Sequence, residues 1–224
     1  MQRTTLGGNA RGYTLHRALL GACQRFGSKT ALVDASTEPA RRFSFAEYGE
    51  LVERVARGLV AAGLRPGEVI GIYLPNSWEF AALYHAATLA GGLPTPLNPS
   101  YREREVRYQL ENSGAVFLVS DGALLRGINL AGLPKLRRVF TTRRPSSGAE
   151  PFEALLRPTT ATLPEPAAPP EETLAVLPYS SGTTGLPKGV MLTHANVVIN
   201  MYQSLPPGEA ATCGPEDVIL CFLP

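Results

Sequence analysis

The sequence predicts an α/β fold, with alternating strands and helices forming mostly parallel sheets flanked by helices. Three observations predict it. Short apolar runs of strand length recur between longer segments with helical spacing of apolar residues. Glycine, or proline with glycine, punctuates most changeovers. Strands are separated by whole helices rather than by two-residue turns, which calls for crossover connections and helices on both faces of a sheet. With 224 residues and 44% hydrophobic composition, the chain can build one large core or two small ones.

The elements follow in order. "YTLHRALLGACQRFG" reads as an amphipathic helix with a glycine stop. Arg3, Arg11, Arg17 and Arg25 precede the first acidic residue, Asp34, a composition with some likeness to organelle-targeting segments. The domain helix is the favoured reading of that stretch. "TALVDA" follows as a strand. In "FSFAEYGELVERVARGLVAAG", Ser44 serves as N-cap and Glu47 completes a capping box. Phe45, Leu51, Val55, Leu59 and Val60 recur at helical spacing, and Gly63 supplies the left-handed stop. "RPG" is a turn and "EVIGIYL" a buried strand.

"PNSWEFAALYHAATLAGG" forms a helix from Asn76 or Ser77 to Gly91-Gly92, with His85 a packed or partly exposed member. Trp78, Tyr73, Tyr84 and Tyr108 read as packing residues. "LPTPLNP" is a short extended segment. "SYREREVRYQLENSG" is a charged amphipathic helix, with Val106 and Leu110 inward and Gly114 as its stop. "AVFLVSD" and "LRRVFTT" are further strands.

Composition changes at Arg143. Prolines at 145, 151, 158, 164, 166, 169 and 170 fix φ and remove donors, so a surface connection is expected, with one helical turn at "FEALL". Sheet character resumes at "TLAVLPYSS", and "DVILCFLP" reads as a strand. The organisation expected is a first α/β subdomain over 1–142, a proline-rich connection over 143–172, and the start of a second subdomain over 173–224.

Charge and cysteine usage narrow the function classes. A net charge of +2 offers no broad field for nucleic acid or anionic lipid. The doublets Arg41-Arg42, Arg137-Arg138 and Arg143-Arg144 stand apart, without interleaved aromatics, and read as solvated surface. No apolar run reaches membrane-spanning length. Cys23, Cys213 and Cys221 form no CxxC pair; Cys23 and Cys221 read as small hydrophobes, and a reducing, cytoplasmic setting fits. His16, His85 and His194 have no metal-ligand spacing, so no protein-bound structural metal is expected. His194 opens the helix "HANVVINMYQSL" and is read as capping or packing there.

One stretch carries chemistry. In "YSSGTTGLPKG", Gly182, Gly185 and Gly189 let backbone amides approach a ligand, while Ser180, Ser181, Thr183 and Thr184 offer hydroxyl donors. Lys188 adds a positive charge. Amides, hydroxyls and an ammonium together suit a polyphosphate. The plainer alternative is a connecting turn between two strands. The stretch is not a Walker A loop: Pro187 precedes Lys188 where that motif has glycine, and Gly189 follows where it has Ser or Thr. The next residues, "VMLTH", read as strand, so no helix N-terminus is aimed at the phosphates.

"YSSGTTGLPKGVMLTH" resembles the phosphate-binding signature of the adenylate-forming superfamily, which spans acyl-CoA synthetases, aryl-CoA ligases, peptide-synthetase adenylation domains and firefly-type luciferases. "LPNSWEF", "NPSYREREVRYQLENSGA" and "DVILCFLP" agree with it, and the wording is closest to 4-coumarate–CoA ligase and its fatty-acyl relatives. The resemblance implies that Ser180, Ser181, Gly182, Thr183, Thr184, Gly185 and Lys188 contact the phosphates of ATP. It implies ATP, Mg²⁺ and coenzyme A as co-reactants, and a small-molecule carboxylic acid as substrate. It also implies that the catalytic residues, including a magnesium-binding glutamate and a catalytic lysine, lie beyond Pro224. On that reading the chain is an incomplete N-terminal part of the adenylate-forming fold, inactive without the rest of the same enzyme. Alternatives are a non-catalytic nucleotide- or partner-binding module, adenylation for a carrier protein, and a luciferase-type reaction.

Overall fold

A computed structural model describes residues 13–166, 168–180, 186–204 and 216–221. Helix α1 (Leu15–Phe26) starts at Thr14, whose Oγ1 accepts from the Arg17 amide, and stops at Gly27 with φ +34°. Strand β1 (Thr30–Asp34) pairs antiparallel with β2 (Arg41–Ser44), a partner that the sequence pattern does not announce. Helix α2 (Phe45–Ala61) has the expected capping box: Glu47 N–H donates to Ser44 Oγ at 3.2 Å, and Ser44 N–H to Glu47 Oε2 at 2.8 Å. Strand β3 (Val69–Tyr73) is buried throughout. Helix α3 (Trp78–Leu89), capped by Ser77, leads to β4 (Leu93–Pro96). Helix α4 (Glu103–Ser113) ends at Gly114 in the left-handed conformation and leads to β5 (Phe117–Asp121). Strands β6 (Arg138–Thr142) and β7 (Glu150–Pro151) complete the sheet.

The five strands lie parallel in the order β4-β3-β5-β6-β7. Period-2 alternation divides their side chains between two cores. Ile70, Ile72, Phe117 and Val119 pack with α2 and α3, whereas Leu118 faces Val106 and Leu110 of α4. The chain steps from β3 to β4 in one direction and back past β3 to β5 in the other. Right-handed crossovers therefore set α3 and α4 on opposite faces. This is the α/β architecture that the alternation predicts, with "LPTPLNP" serving as an edge strand.

Several expectations need correction. Past Arg143 the chain does not stay on the surface: β7 joins the sheet, and a 3₁₀ helix (Phe152–Leu156) buries Phe152 and Leu155 against α2. Two apolar side chains inserted into the core, Phe152 against the Trp78 ring and Leu155 with it, outweigh the loop character of the surrounding prolines. The Arg137-Arg138 doublet is a clamp rather than free surface. Arg137 reaches both carboxylate oxygens of Glu68 at 2.8 and 2.6 Å. Arg138 grips both oxygens of Glu150 at 2.8 and 2.6 Å and donates to Ala62 O at 2.9 Å, tying β7 and the end of α2 to β6. Arg41 lies over the Trp78 ring at 4.3 Å.

"DVILCFLP" does not form a strand over its described residues 217–221, and Val218, Ile219 and Leu220 are exposed. A strand exists only where a neighbour pairs with it, and none of the described sheets includes this segment. Cys221 is accordingly exposed, while Cys23 is buried as expected; Cys213 lies outside the described residues.

Helix α2 meets the 3₁₀ helix at a glycine. A Cβ on Gly58 would lie 2.0 Å from the Leu155 carbonyl oxygen, whereas a Cβ on Gly21 in α1 would meet nothing within 4 Å. Gly58→Ala is expected to lower the unfolding free energy by about 2 kcal/mol or more, and Gly21→Ala to raise it by about 0.5–1 kcal/mol. Urea denaturation of both variants measures the contrast; a neutral Gly58→Ala would contradict the close approach.

Candidate functional site

The glycine-rich stretch sits at the end of a broken hairpin. Strand β8 (Leu174–Val176) pairs antiparallel with β11 (Leu192–Thr193), and β9 (Tyr179–Ser180) with β10 (Lys188–Gly189). Val190 N–H donates to Pro178 O at 2.8 Å between the two ladders. The β9–β10 register sets Ser180 opposite Lys188 and Tyr179 opposite Gly189. Directly opposed residues stand about 4.5–5.5 Å apart at Cβ or Cα, so the hydroxyl and the ammonium stem leave the hairpin side by side. Both residues are exposed. Strand rather than helix follows the stretch, as the sequence predicts.

The hairpin hangs on the edge of the main sheet. The amides of Leu93 in β4 and of Leu97 just after it donate to Glu68 O and Ile72 O on the β3 side, so Pro94 and Pro96 face outward, where they have no N–H to give. The Pro94 carbonyl accepts from Leu177 N–H at 3.0 Å. With no outward backbone donor, Leu177 O is served instead by Thr95 Oγ1 at 2.7 Å. Gln109 of α4 donates to Thr95 Oγ1 at 2.8 Å and to Pro96 O at 2.9 Å. One turn further on, Asn112 Oδ1 accepts from the Tyr179 hydroxyl at 2.6 Å. The Tyr179 ring lies against Gly189, where a Cβ would sit 3.2 Å from Cε2 and Cζ. Burial pushes the Tyr179 phenol up from its ordinary pKa.

After β11 comes α5 (His194–Gln203), capped by Thr193 and Asn196. His194 packs, as its place in the sequence predicts. Its Nδ1 accepts from Leu15 N–H at 3.1 Å, and its ring meets His16 edge-to-face at 5.3 Å between centroids. An Nδ1 that accepts leaves the proton on Nε2, so this imidazole is neutral. Burial lowers the His194 pKa to about 4. The same value holds for His16, through burial first, then repulsion from His194 once that ring is protonated, and from Arg17. His194 is therefore a structural link between α1 and α5, not a base beside the loop.

Of the residues singled out in the sequence, Ser180 and Lys188 are brought together. Ser181, Gly182, Thr183, Thr184 and Gly185 lie outside the described residues. Among the described residues no three His, Cys, Asp or Glu side chains group to hold a metal ion. Also among them, no helix is long and apolar enough to cross a membrane. The supporting residues Thr95, Gln109 and Asn112 escape a reading of the sequence. Gln109 leaves one signal, a glutamine next to Leu110 on the inward face of α4. Asn112 leaves none, because its partner is 67 residues away.

A family model described as AMP-binding enzyme matches residues 20–224. The chain belongs to the AMP-binding enzyme family. Among curated relatives, a 4-coumarate–CoA ligase of Pinus taeda is 33% identical over 212 residues, covering 94% of this chain and 39% of the relative. Among solved structures, a long-chain-fatty-acid–CoA ligase of Archaeoglobus fulgidus superposes with a TM-score of 0.76 at 30% identity, over 86% of this chain and 39% of that one. An anthranilate–CoA ligase in complex with anthranoyl-AMP gives 0.73 at 26% identity, over 83% and 35%. The chain thus spans well under half the length of these relatives. The fold matches the N-terminal domain of adenylate-forming enzymes.

Acid titration tests the histidine link. Between pH 6.5 and 4 the unfolded chain takes up protons on imidazoles that the folded chain keeps neutral, so this contribution to stability is complete above pH 6.5 and falls as the pH drops towards 4. His16→Phe keeps an edge-to-face ring and removes one titration. Its loss of stability from pH 7 to pH 5 is expected to be smaller than that of the unmodified chain in urea unfolding. An equal loss would place the acid sensitivity elsewhere.

Proposed function

We propose that this chain carries the phosphate-gripping part of an ATP-dependent carboxylate–CoA ligase. The observation that carries the reading is the Ser180–Lys188 register, which sets a hydroxyl and a cation together at an exposed, glycine-rich hairpin end. Kinship with acid–CoA ligases supports it. In the proposed reaction a carboxylate oxygen bonds to the α-phosphorus of ATP and pyrophosphate leaves, giving an acyl-adenylate. The thiolate of coenzyme A then attacks the acyl carbon and AMP leaves.

The residues of this chain act on the first step. Lys188 and Ser180, with Ser181, Gly182, Thr183, Thr184 and Gly185, hold the β- and γ-phosphates and offset the charge that builds on the leaving pyrophosphate. Mg²⁺ would share that charge. The segments 1–142, 143–172 and 173–224 are proposed as first subdomain, connection and start of the second subdomain. A reducing, cytoplasmic setting, where the thiol of coenzyme A stays free, belongs to the same proposal.

In the full-length protein, Lys188→Ala is expected to slow carboxylate-dependent exchange of labelled pyrophosphate into ATP by about 10²-fold. Exchange at the original rate would reject a phosphate role for Lys188. Full-length protein supplied with ATP, Mg²⁺ and candidate acids is expected to release a thioester only when free coenzyme A is present, read by mass spectrometry. Acyl transfer solely to a carrier protein would favour the sister chemistry instead. The 224 residues by themselves, which cover 39% of the pine ligase, are proposed to form no thioester.

A further inference from the structure

The strands that carry the loop are short. Strands β9 and β10 have two residues each, and a two-residue ladder does not hold a loop at a fixed angle by itself. Something outside the hairpin must fix the angle at which residues 180 and 188 leave it. The Tyr179 side chain is placed to do so. It neighbours Ser180 in sequence and stands opposite Gly189, which neighbours Lys188. Its ring rests on Gly189, and its hydroxyl donates to Asn112 Oδ1 at 2.6 Å, on the last turn of α4. Helix α4 is itself packed on the main sheet through Val106 and Leu110. A rigid element of the first α/β layer thus holds the root of the candidate phosphate loop through one side-chain pair.

We propose that Asn112 and Tyr179 form a positioning pair that sets how Ser180 and Lys188 face the triphosphate. Neither residue touches phosphate; both act through the hairpin. The assignment rests on the phosphate-binding reading of the loop and adds to it the residues that aim it. The pair is well suited to aiming. Asn112 is exposed, so its loss leaves the core intact, whereas the hydrogen bond it accepts spans 67 residues of sequence and joins two separately built parts of the fold. Gly189 is required for a related reason: a side chain there would press on the Tyr179 ring and lift its hydroxyl from Asn112.

The test uses the full-length protein and the kinetics of acyl-adenylate formation. Asn112→Leu removes the acceptor, and Tyr179→Phe removes the donor while keeping the ring. Each is expected to raise KM for ATP about five- to tenfold, the scale of one lost hydrogen bond at an ordered site, with KM for the carboxylic acid unchanged. Asn112→Asp keeps an oxygen acceptor and is expected to restore the original KM for ATP. The Asn112→Leu/Tyr179→Phe double variant is expected to be no worse than either single one, because both remove the same bond. Lys188→Ala runs alongside. If it impairs pyrophosphate exchange while Asn112→Leu leaves KM for ATP unchanged, the positioning role is overturned and the loop's phosphate role stands. Failure of Asn112→Asp to restore KM, or full additivity in the double variant, also overturns it. Unchanged exchange in Lys188→Ala overturns both readings.

Discussion

The hydrogen bond from Thr95 Oγ1 to the Leu177 carbonyl is the joint on which the candidate site depends. It exists because β4 is a proline-bearing edge. Pro94 and Pro96 keep the pairing with β3, yet leave the outer edge without amide donors, so a further strand cannot add there by an ordinary ladder. The hairpin that continues from β8 is accepted on other terms: one backbone bond to Pro94 O, one hydroxyl from Thr95, and the Gln109 amide holding that hydroxyl in place. Thr95 and Gln109 are both buried, which strengthens these bonds and makes their loss costly. An edge closed to strangers is thereby open to one particular segment of the same chain.

That joint ties the site to a rigid base. Helices α2 and α3 fill one face of the parallel sheet, and α4 fills the other. Leu110 lies so close to β3 that a Cβ on Gly71 would stand 2.8 Å from its Cδ2. Residues one turn apart on α4 therefore share one task. Val106 and Leu110 fasten the helix to the sheet, while Gln109 and Asn112 hold β4 and the hairpin. The far side of the hairpin is tied down as well, by His194 on the first amide of α1. The described contacts thus hold the β9–β10 hairpin on both sides, through Thr95, Gln109 and Asn112 on one and His194 on the other.

Much of the fold was legible because local signals and tertiary packing agree. The Ser44–Glu47 capping box, the left-handed Gly114 and the wholly apolar run at Val69–Tyr73 each announce an element within a few residues. Ser180 and Lys188 were singled out for a different reason, the unusual order of hydroxyls, glycines and a lysine, and the structure sets the two opposite each other in the β9–β10 register. What escaped is long-range. Strand β2 exists only as a partner of β1. The pairing of Arg138 with Glu150 draws β7 into the sheet from a proline-rich stretch. The link from Tyr179 to Asn112 has no sequence signature, since the two residues are 67 positions apart and neither spacing nor composition pairs them. The apolar run at 217–221 misled in the opposite direction: its hydrophobicity suits a strand, but pairing decides whether one forms.

The bond between Leu15 and His194 has a consequence for synthesis on the ribosome. Its two ends are 179 residues apart, so the opening helix leaves the exit tunnel long before its acceptor is made. At about 5–20 residues per second, that delay is roughly 10–35 seconds. During the interval the amide must be served by water, and the side of the helix later covered by α5 stays bare. Until residue 194 has been made, that side of the first helix is open to any holdase that binds unfolded or half-packed chains.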